Sequence, residues 1–218
     1  MRSIFLSLFI AVVFGMTSNA QTFVETFDTN TFGWTESGPD GYYGSSVIDN
    51  GVMTLKSKGD TKFLRFAANA HGFDRNSETT AFETHCYAPI DVTKPFEIVA
   101  KIQMDNLDLE REAGIIFNYR DFGNYYAFVF DKQTVTFLRM ADNYCIGSIS
   151  QDVKWDKAIK GKQNQVWKLV SDNGDLRFFV NDVEILMVKY MPLDFAGVGF
   201  CTIGKQTLIV DEVIFTQK

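Results

Sequence analysis

Hydrophobic and polar residues alternate along most of the chain with a period of two, between short turn-forming sequences. In PFEIVAKIQM, the alternate positions from Phe96 to Met104 are apolar, whereas Glu97, Lys101 and Gln103 fall on the other face. This alternation is typical of β-strands with one buried face. No window keeps a helical period of apolar residues beyond a turn or two. The pattern therefore predicts an antiparallel all-β sandwich or barrel.

Turn-forming residues separate the strands and predict hairpins. GIIFNYR, the turn DFGN and YYAFVF predict one hairpin over residues 114–130, and KQTVTFLRM continues it as the next strand. Further along, QVWKLV, LRFFV and VEILMV predict three strands, joined by the turns SDNGD and ND. Asn181 and Asp182 suit a two-residue turn, because Asn and Asp tolerate positive φ better than most residues.

The first twenty residues have the pattern of a secretory signal peptide. Arg2 provides a positive start, the thirteen residues from Ile4 to Met16 are apolar, and Ser18 and Ala20 occupy the small positions of a cleavage site. Thirteen residues are too few to cross a bilayer, which needs about 20. We therefore expect cleavage, no membrane insertion afterwards, and one domain over 21–218 that is periplasmic, cell-surface or secreted.

The charge balance narrows the classes of partner. Without Arg2 the chain carries 20 basic and 27 acidic residues, a net charge of −7. Nucleic acids and anionic lipids are bound through basic patches, so this balance argues against both.

Cys86, Cys145 and Cys201 are an odd number of cysteines for an oxidising compartment. One disulfide with a free thiol, or three buried thiols, both fit this count. No CxxC pair occurs and only two histidines are present, which disfavours a zinc site and a Cys–His nucleophile pair.

Several segments resemble the concanavalin A-like jelly-roll superfamily, in particular its laminin G-like branch in exported bacterial proteins. The resemblance lies in FVETFDTNTFGWTES, GVMTLKSKG, the central strands from FEIVAKIQM to YYAFVF, and the closing strands NQVWKLVSDNGDLRFFVNDVEIL and GVGFCTIGKQTLIVDEVIF. It implies two curved antiparallel sheets, the concave one often forming a carbohydrate-binding groove. The superfamily includes lectins, binding modules, laminarinase-type glycosidases and keto-disaccharide hydrolases, so fold alone does not select a function.

The carboxylates of LDLERE are the catalytic candidates. A retaining glycosidase needs two carboxyl groups about 5–5.5 Å apart, and Glu110 and Glu112 would share a face if this segment were extended. The laminarinase-type motif that the resemblance implies has a different order and spacing, and a solvated charged loop is the favoured interpretation. The phrase FDTNTFGW also lacks the central Gly-Lys of the keto-disaccharide hydrolase opening.

The predicted hairpin supplies the binding candidates. Strict alternation places Ile115, Phe117 and Tyr119 in the core and Asn118 and Arg120 on the opposite face, which is either a ligand-binding face or an ordinary solvated sheet face. Amide and guanidinium groups bind hydroxyl or carboxylate groups, and aromatic rings stack on sugar faces. The remaining candidates are aromatic or basic residues placed near this face or its rim: Tyr125, Tyr126, Arg139 and Trp34.

These residues predict an exported, non-catalytic module that binds a glycan or another cell-envelope or extracellular partner through the concave sheet face. The alternative is a glycan-active hydrolase of the same fold, and a structural envelope component is the third option. We expect no cofactor. A solvated or salt-bridged pair is the favoured interpretation of Asp28 and Asp211, because calcium needs six to eight oxygen ligands. Structural calcium at these two residues is the alternative.

Overall fold

The computed structural model describes residues 20–38, 44–58, 81–104, 113–131, 133–142, 144–153 and 164–218. Nearly all of the predicted signal peptide and both candidate acids, Glu110 and Glu112, lie outside these residues, so the signal peptide and the catalytic role stay predictions. Within the described ranges, no helix is long and apolar enough to span a membrane.

The described residues form fourteen β-strands. They are β1 (Gln21–Glu25), β2 (Gly44–Asp49), β3 (Val52–Ser57), β4 (Ala81–Tyr87), β5 (Phe96–Met104), β6 (Ala113–Asp121), β7 (Asn124–Phe130), β8 (Thr134–Ala141), β9 (Tyr144–Asp152), β10 (Asn164–Asp172), β11 (Asp175–Val180), β12 (Val183–Lys189), β13 (Gly197–Ile203) and β14 (Gln206–Gln217).

The strands form two antiparallel sheets. The eight-stranded sheet has the order β12-β11-β10-β5-β14-β3-β2, with β1 also paired to β14, and the six-stranded sheet has the order β4-β13-β6-β7-β8-β9. The first and last strands are neighbours, since Gln21 pairs with Gln217 and Glu25 with Val213. The predicted two-sheet antiparallel sandwich is confirmed.

One hydrophobic core lies between the inner faces of the two sheets. Trp167 of β10 contacts Phe130 of β7 edge-on at 4.9 Å between ring centroids, and Phe178 of β11 stacks on Phe128 of β7 at 5.1 Å. Each of these rings is almost fully buried. A buried aromatic side chain removes 150–250 Å² from water, so such contacts between the sheets dominate the energy of the sandwich.

The loop after β1 is held over the core by two polar side chains. The carboxylate of Glu25, which is buried, accepts hydrogen bonds from the backbone amides of Phe27 and Phe32 at 3.2 and 3.1 Å. Asn30 bonds both the amide and the carbonyl of Trp34, at 2.6 and 2.9 Å. These bonds curl FDTNTFGW so that Trp34 enters the core.

The predicted turns are present, with one difference in length. Asn181 and Asp182 join β11 to β12 with φ of 49° and 64°, as predicted. The hairpin from β6 to β7 is also present, but Asp121 pairs with Asn124, so its turn holds only Phe122 and Gly123 instead of four residues.

Candidate functional site

The face of the six-stranded sheet turned away from the eight-stranded sheet, here the outer face, carries a second hydrophobic cluster. Its members are buried although they do not belong to the core between the sheets: Ile116, Tyr119, Tyr125, Ala127, Val129, Met140 and Cys201. In a sheet with one solvated face, each strand normally alternates buried residues, which face the core, with polar residues exposed on the solvated face. The outer face departs from that pattern and is the candidate functional surface.

Tyr119 reaches the outer face because of a β-bulge in β6. The register of β6 with β7 and with β13 shifts after Phe117, and Asn118 adopts a left-handed φ of 48°. A bulge adds one residue to one strand and so reverses the alternation beyond it. The prediction that Tyr119 shares the core face of Phe117 is therefore wrong.

Four rings line up on the outer face, and we call them the ring row: Tyr87, His85, Tyr119 and Tyr125. The imidazole of His85 stacks on the Tyr119 ring at 4.1 Å between centroids and meets Tyr87 edge-on at 6.5 Å. Tyr119 in turn stacks on Tyr125 at 6.1 Å. Tyr87 at one end is 63% exposed, whereas Tyr119 and Tyr125 are buried.

Glycines beneath the ring row allow the rings to approach the sheet. Gly197 lies opposite Tyr87 on one side and Tyr119 on the other, and Gly199 lies between His85 and Ile116. A Cβ atom at Gly197 would collide with the backbone oxygen of Tyr119. Residues without side chains at these positions leave room for the imidazole and phenol rings to meet above β13.

Glu83 places a carboxyl group next to the ring row. It shares the outer face with His85 because residues two apart on a strand project to the same side. Burial raises the pKa of Glu83 from its ordinary value near 4.5 to about 7, and the hydrogen bond from the Tyr119 phenol partly opposes this rise. Burial likewise lowers the pKa of His85. Near neutral pH the site therefore holds a neutral imidazole and a carboxyl group that can be charged or neutral.

Asn118 and Trp34, both predicted to read a ligand, lie in the interior. The side chain of Asn118 is fully buried and donates to the carbonyls of Leu193 and Phe195 at 2.8 and 3.0 Å. Its amide oxygen accepts a 2.6 Å hydrogen bond from Tyr190. Trp34 stacks on Phe200 within the core. The structure thus gives both residues packing and hydrogen-bonding roles.

The other predicted residues divide between two places. Tyr125 belongs to the ring row. Tyr126 and Arg139 lie directly opposite each other on β7 and β8, with the guanidinium 5.6 Å from the ring centroid, but on the inner side of the sheet at its rim. Arg120 is exposed and stacks over the Phe195 ring at 5.4 Å. The structure therefore does not bring the predicted binding residues together into one site.

Sequence reasoning missed Glu83, His85 and Tyr87. The segment FETHCY does carry a usable signal, since alternation alone separates these three side chains from Thr84 and Cys86. Thr84 and Cys86 are buried on the inner face, as that pattern requires. FETHCY could not indicate that Tyr119, 36 positions from Glu83, lies next to these side chains above Gly197 and Gly199 of β13.

The proposed calcium ligands lie in separate surroundings. Asp28 follows β1 and accepts a hydrogen bond from Thr26, whereas Asp211 lies at a register shift in β14 close to Lys101. In the part of the chain that the structure describes, no group of three or more His, Cys, Asp or Glu side chains is placed to hold a metal ion. Calcium binding stays a prediction.

The structure is similar to solved jelly-roll proteins at low sequence identity. The CBM2 module of the evolved Dit of Lactobacillus casei BL23 phage J-1 has a TM-score of 0.58 and 10% identity, over 91% of this chain and 96% of that one. The catalytic domain of an endo-1,3-β-glucanase (laminarinase) from Thermotoga petrophila RKU-1 has a TM-score of 0.55 and 7% identity, over 92% and 98%.

A protein of unknown function with a galectin-like fold from Bacillus subtilis has a TM-score of 0.55 and 12% identity, over 89% and 93% of the two chains. No family model matches the sequence, and no curated protein matches it. Identities this low show the fold alone. They do not indicate whether this chain shares a function with the binding modules or with the glycosidases. The chain has the concanavalin A-like jelly-roll fold.

Proposed function

We propose that this protein is an exported, non-catalytic glycan-binding module that uses the outer face of the six-stranded sheet. The observation that carries the proposal is the ring row beside Glu83. Sugars are bound by aromatic rings that stack on their apolar faces and by polar groups that fix their hydroxyls. Tyr87 offers an exposed ring, and Glu83 offers a carboxyl group that accepts or donates a hydrogen bond.

The carboxylates of the outer face favour binding over hydrolysis. Glu83 on β4 and Asp152 on β9 are both registered to this face, but they lie at opposite edges of the six-stranded sheet, about 24 Å apart at roughly 4.8 Å per strand. Two-carboxylate glycosidases need a second acid about 5–9.5 Å from the first. Similarity in fold to both the phage CBM2 module and the laminarinase is compatible with a glycan as the ligand.

The test is a screen of the purified protein on a glycan array, followed by calorimetry with each glycan bound. Tyr87→Ala should weaken binding roughly three- to tenfold, because one aromatic contact contributes about 0.5–1.5 kcal/mol. Tyr144→Ala is the matched control. Tyr144 is also an exposed tyrosine of this sheet, but it does not project from the outer face. It pairs with Ala141, next to the Met140–Cys145 pair, which does belong to the outer face. Equal loss in both variants would contradict the proposed surface.

A glycan-active hydrolase is the second candidate, and the raised pKa of Glu83 favours it. A general acid near neutral pH needs a carboxyl group that is still protonated, which a pKa of about 7 provides. Release of reducing ends from the bound glycans, abolished in Glu83→Gln, would support hydrolysis. Binding without release, retained in Glu83→Gln, would support the binding module.

A further inference from the structure

The edges of the two sheets are protected to different degrees. An edge strand presents unpaired N–H and C=O groups to any other strand that can reach them. At the β4 edge, Thr35 takes the place of a neighbouring strand, since its amide donates to the carbonyl of His85 at 2.8 Å. At the β2 edge, the amide of Ser37 donates to the carbonyl of Ser46, and Glu36 accepts from the amide of Ile48. One loop therefore covers an edge of each sheet.

The opposite edge of the eight-stranded sheet is formed by β12 and protected by charge. Glu184 and Lys189 project from this strand and are exposed, and the register with β11 shifts at Phe178. Charged side chains and bulges are the usual means by which proteins prevent pairing along an edge.

Among the described residues, the remaining edge of the six-stranded sheet, β9, carries no charge before its last residue, although its pairing with β8 shifts at Ile146, between the Met140–Cys145 and Arg139–Gly147 pairs. The first eight of its nine residues, Tyr144 to Gln151, are uncharged, and the ninth is Asp152. Ile146 and Ile149 are 59% and 51% exposed. Among the described residues, β9 pairs only with β8, and no backbone hydrogen bond engages its other side before Asp152. A long edge strand with few charged side chains is a template for strand addition.

We propose that β9 pairs antiparallel with β9 of a second copy, so that two six-stranded sheets join into one sheet of twelve strands. Two identical antiparallel strands are related by a twofold axis and satisfy each other's hydrogen bonds, which a symmetric dimer requires. The formal net charge of the chain is −6, and β9 is a stretch along which two acidic copies can meet without opposing like charges.

Beyond the register shift at Ile146, β9 pairs regularly with β8, and antiparallel pairing of Gly147–Gln151 with the same residues of the second copy places the twofold axis at Ile149. In this register the two Ile149 side chains face each other, and Ser148 faces Ser150. The two Asp152 carboxylates then lie at opposite ends of the pair, about 20 Å apart at 3.4 Å per residue. The axis is perpendicular to the sheet, so both outer faces point to the same side. If the proposed glycan site exists, the dimer presents two copies of it side by side.

The test combines oligomer mass with a cross-link. Light scattering of the wild-type protein should give a dimer mass that dissociates on dilution, because a single strand pair is a small interface. In the Cys145→Ser background, Ile149→Cys should form an interchain disulfide, since facing Cα atoms about 4.5–5.5 Å apart lie within disulfide reach. Met187→Cys on β12, at an exposed position of 48%, is the control and should not cross-link.

Ile149→Lys should raise the dimer dissociation constant at least about tenfold, because it adds a charge to each copy at the joined edge. Met187→Lys should leave the constant unchanged. A wild-type protein that stays monomeric at concentrations on the order of 100 μM, or a dimer that Ile149→Lys does not weaken, overturns the proposal. So does a monomer that takes up an extended foreign peptide along β9. Each measurement is independent of glycan binding.

Discussion

The phenol of Tyr119 lies between two groups of β4, donating a hydrogen bond to Glu83 and stacking on the imidazole of His85 at 4.1 Å. Tyr119 is on β6, and β13 separates the two strands in the sheet. The contact crosses that strand because its outer-face positions there are Gly197 and Gly199. A carboxyl group, an imidazole and stacked phenols are thus held together on a face that the core does not use.

The raised pKa of Glu83 makes stability depend on pH. The folded state retains the proton up to a pKa of about 7, whereas the unfolded chain loses it near 4.5. The folded state therefore binds more protons between these values, and the free energy of unfolding falls as the pH rises from about 4.5 through about 7. The loss over the whole window is roughly 3 kcal/mol, since one pKa unit corresponds to about 1.36 kcal/mol.

Urea unfolding of wild type and Glu83→Gln at pH 5 and pH 8 isolates this effect. The lowered pKa of His85 acts with the opposite sign, since its folded form releases a proton earlier, but it contributes to both proteins. The wild type should lose stability relative to Glu83→Gln on going to pH 8. A difference that does not change with pH would mean that Glu83 is ionised in the folded protein as it is in the unfolded chain.

Tyr119→Phe should raise the pKa of Glu83 further. The phenol hydrogen bond favours the charged carboxylate and is the contribution that lowers this pKa, so its removal leaves burial unopposed. Titration of the ¹³C carboxyl signal by NMR measures the shift. Tyr125→Phe, a neighbouring change of the same size, should move the signal much less. A downward shift in Tyr119→Phe would show that the phenol does not stabilise the carboxylate.

Asn118→Ala should destabilise the protein by roughly 2–4 kcal/mol, because it removes three hydrogen bonds and places Ala at a positive φ. Tyr190 keeps only its longer bond to the Val92 carbonyl, at 3.2 Å. Asn164→Ala, at an exposed position of β10, should change the free energy of unfolding by less than about 0.5 kcal/mol. Chemical denaturation of both variants checks the comparison. Similar small effects would indicate that the Asn118 hydrogen bonds contribute little.

Local signals predicted the strands and several turns, because alternation and turn residues act over a few positions. The candidate site was less predictable, since it depends on one bulge and on contacts between distant strands. A single extra residue at Asn118 transfers Tyr119 from the predicted core face to the outer face. YCIGSISQD has little alternation, so the sequence pattern did not predict β9. The segment is a strand because it pairs with β8. Trp34 lies in a loop-like sequence, yet Asn30 and Glu25 fold that loop onto the core.

The three cysteines should differ sharply in reactivity. The three cysteines form no disulfide in the structure, so neither arrangement predicted from their number is present: Cys145 is exposed, whereas Cys86 and Cys201 are buried. Burial, together with the nearby Glu25 carboxylate, raises the pKa of the Cys86 thiol and suppresses the reactive thiolate. An aromatic disulfide reagent should therefore label about one thiol per folded chain, and about three after unfolding. Cys145→Ser should abolish the labelling of the folded protein, and rapid labelling that persists in this variant would show that a buried thiol is accessible.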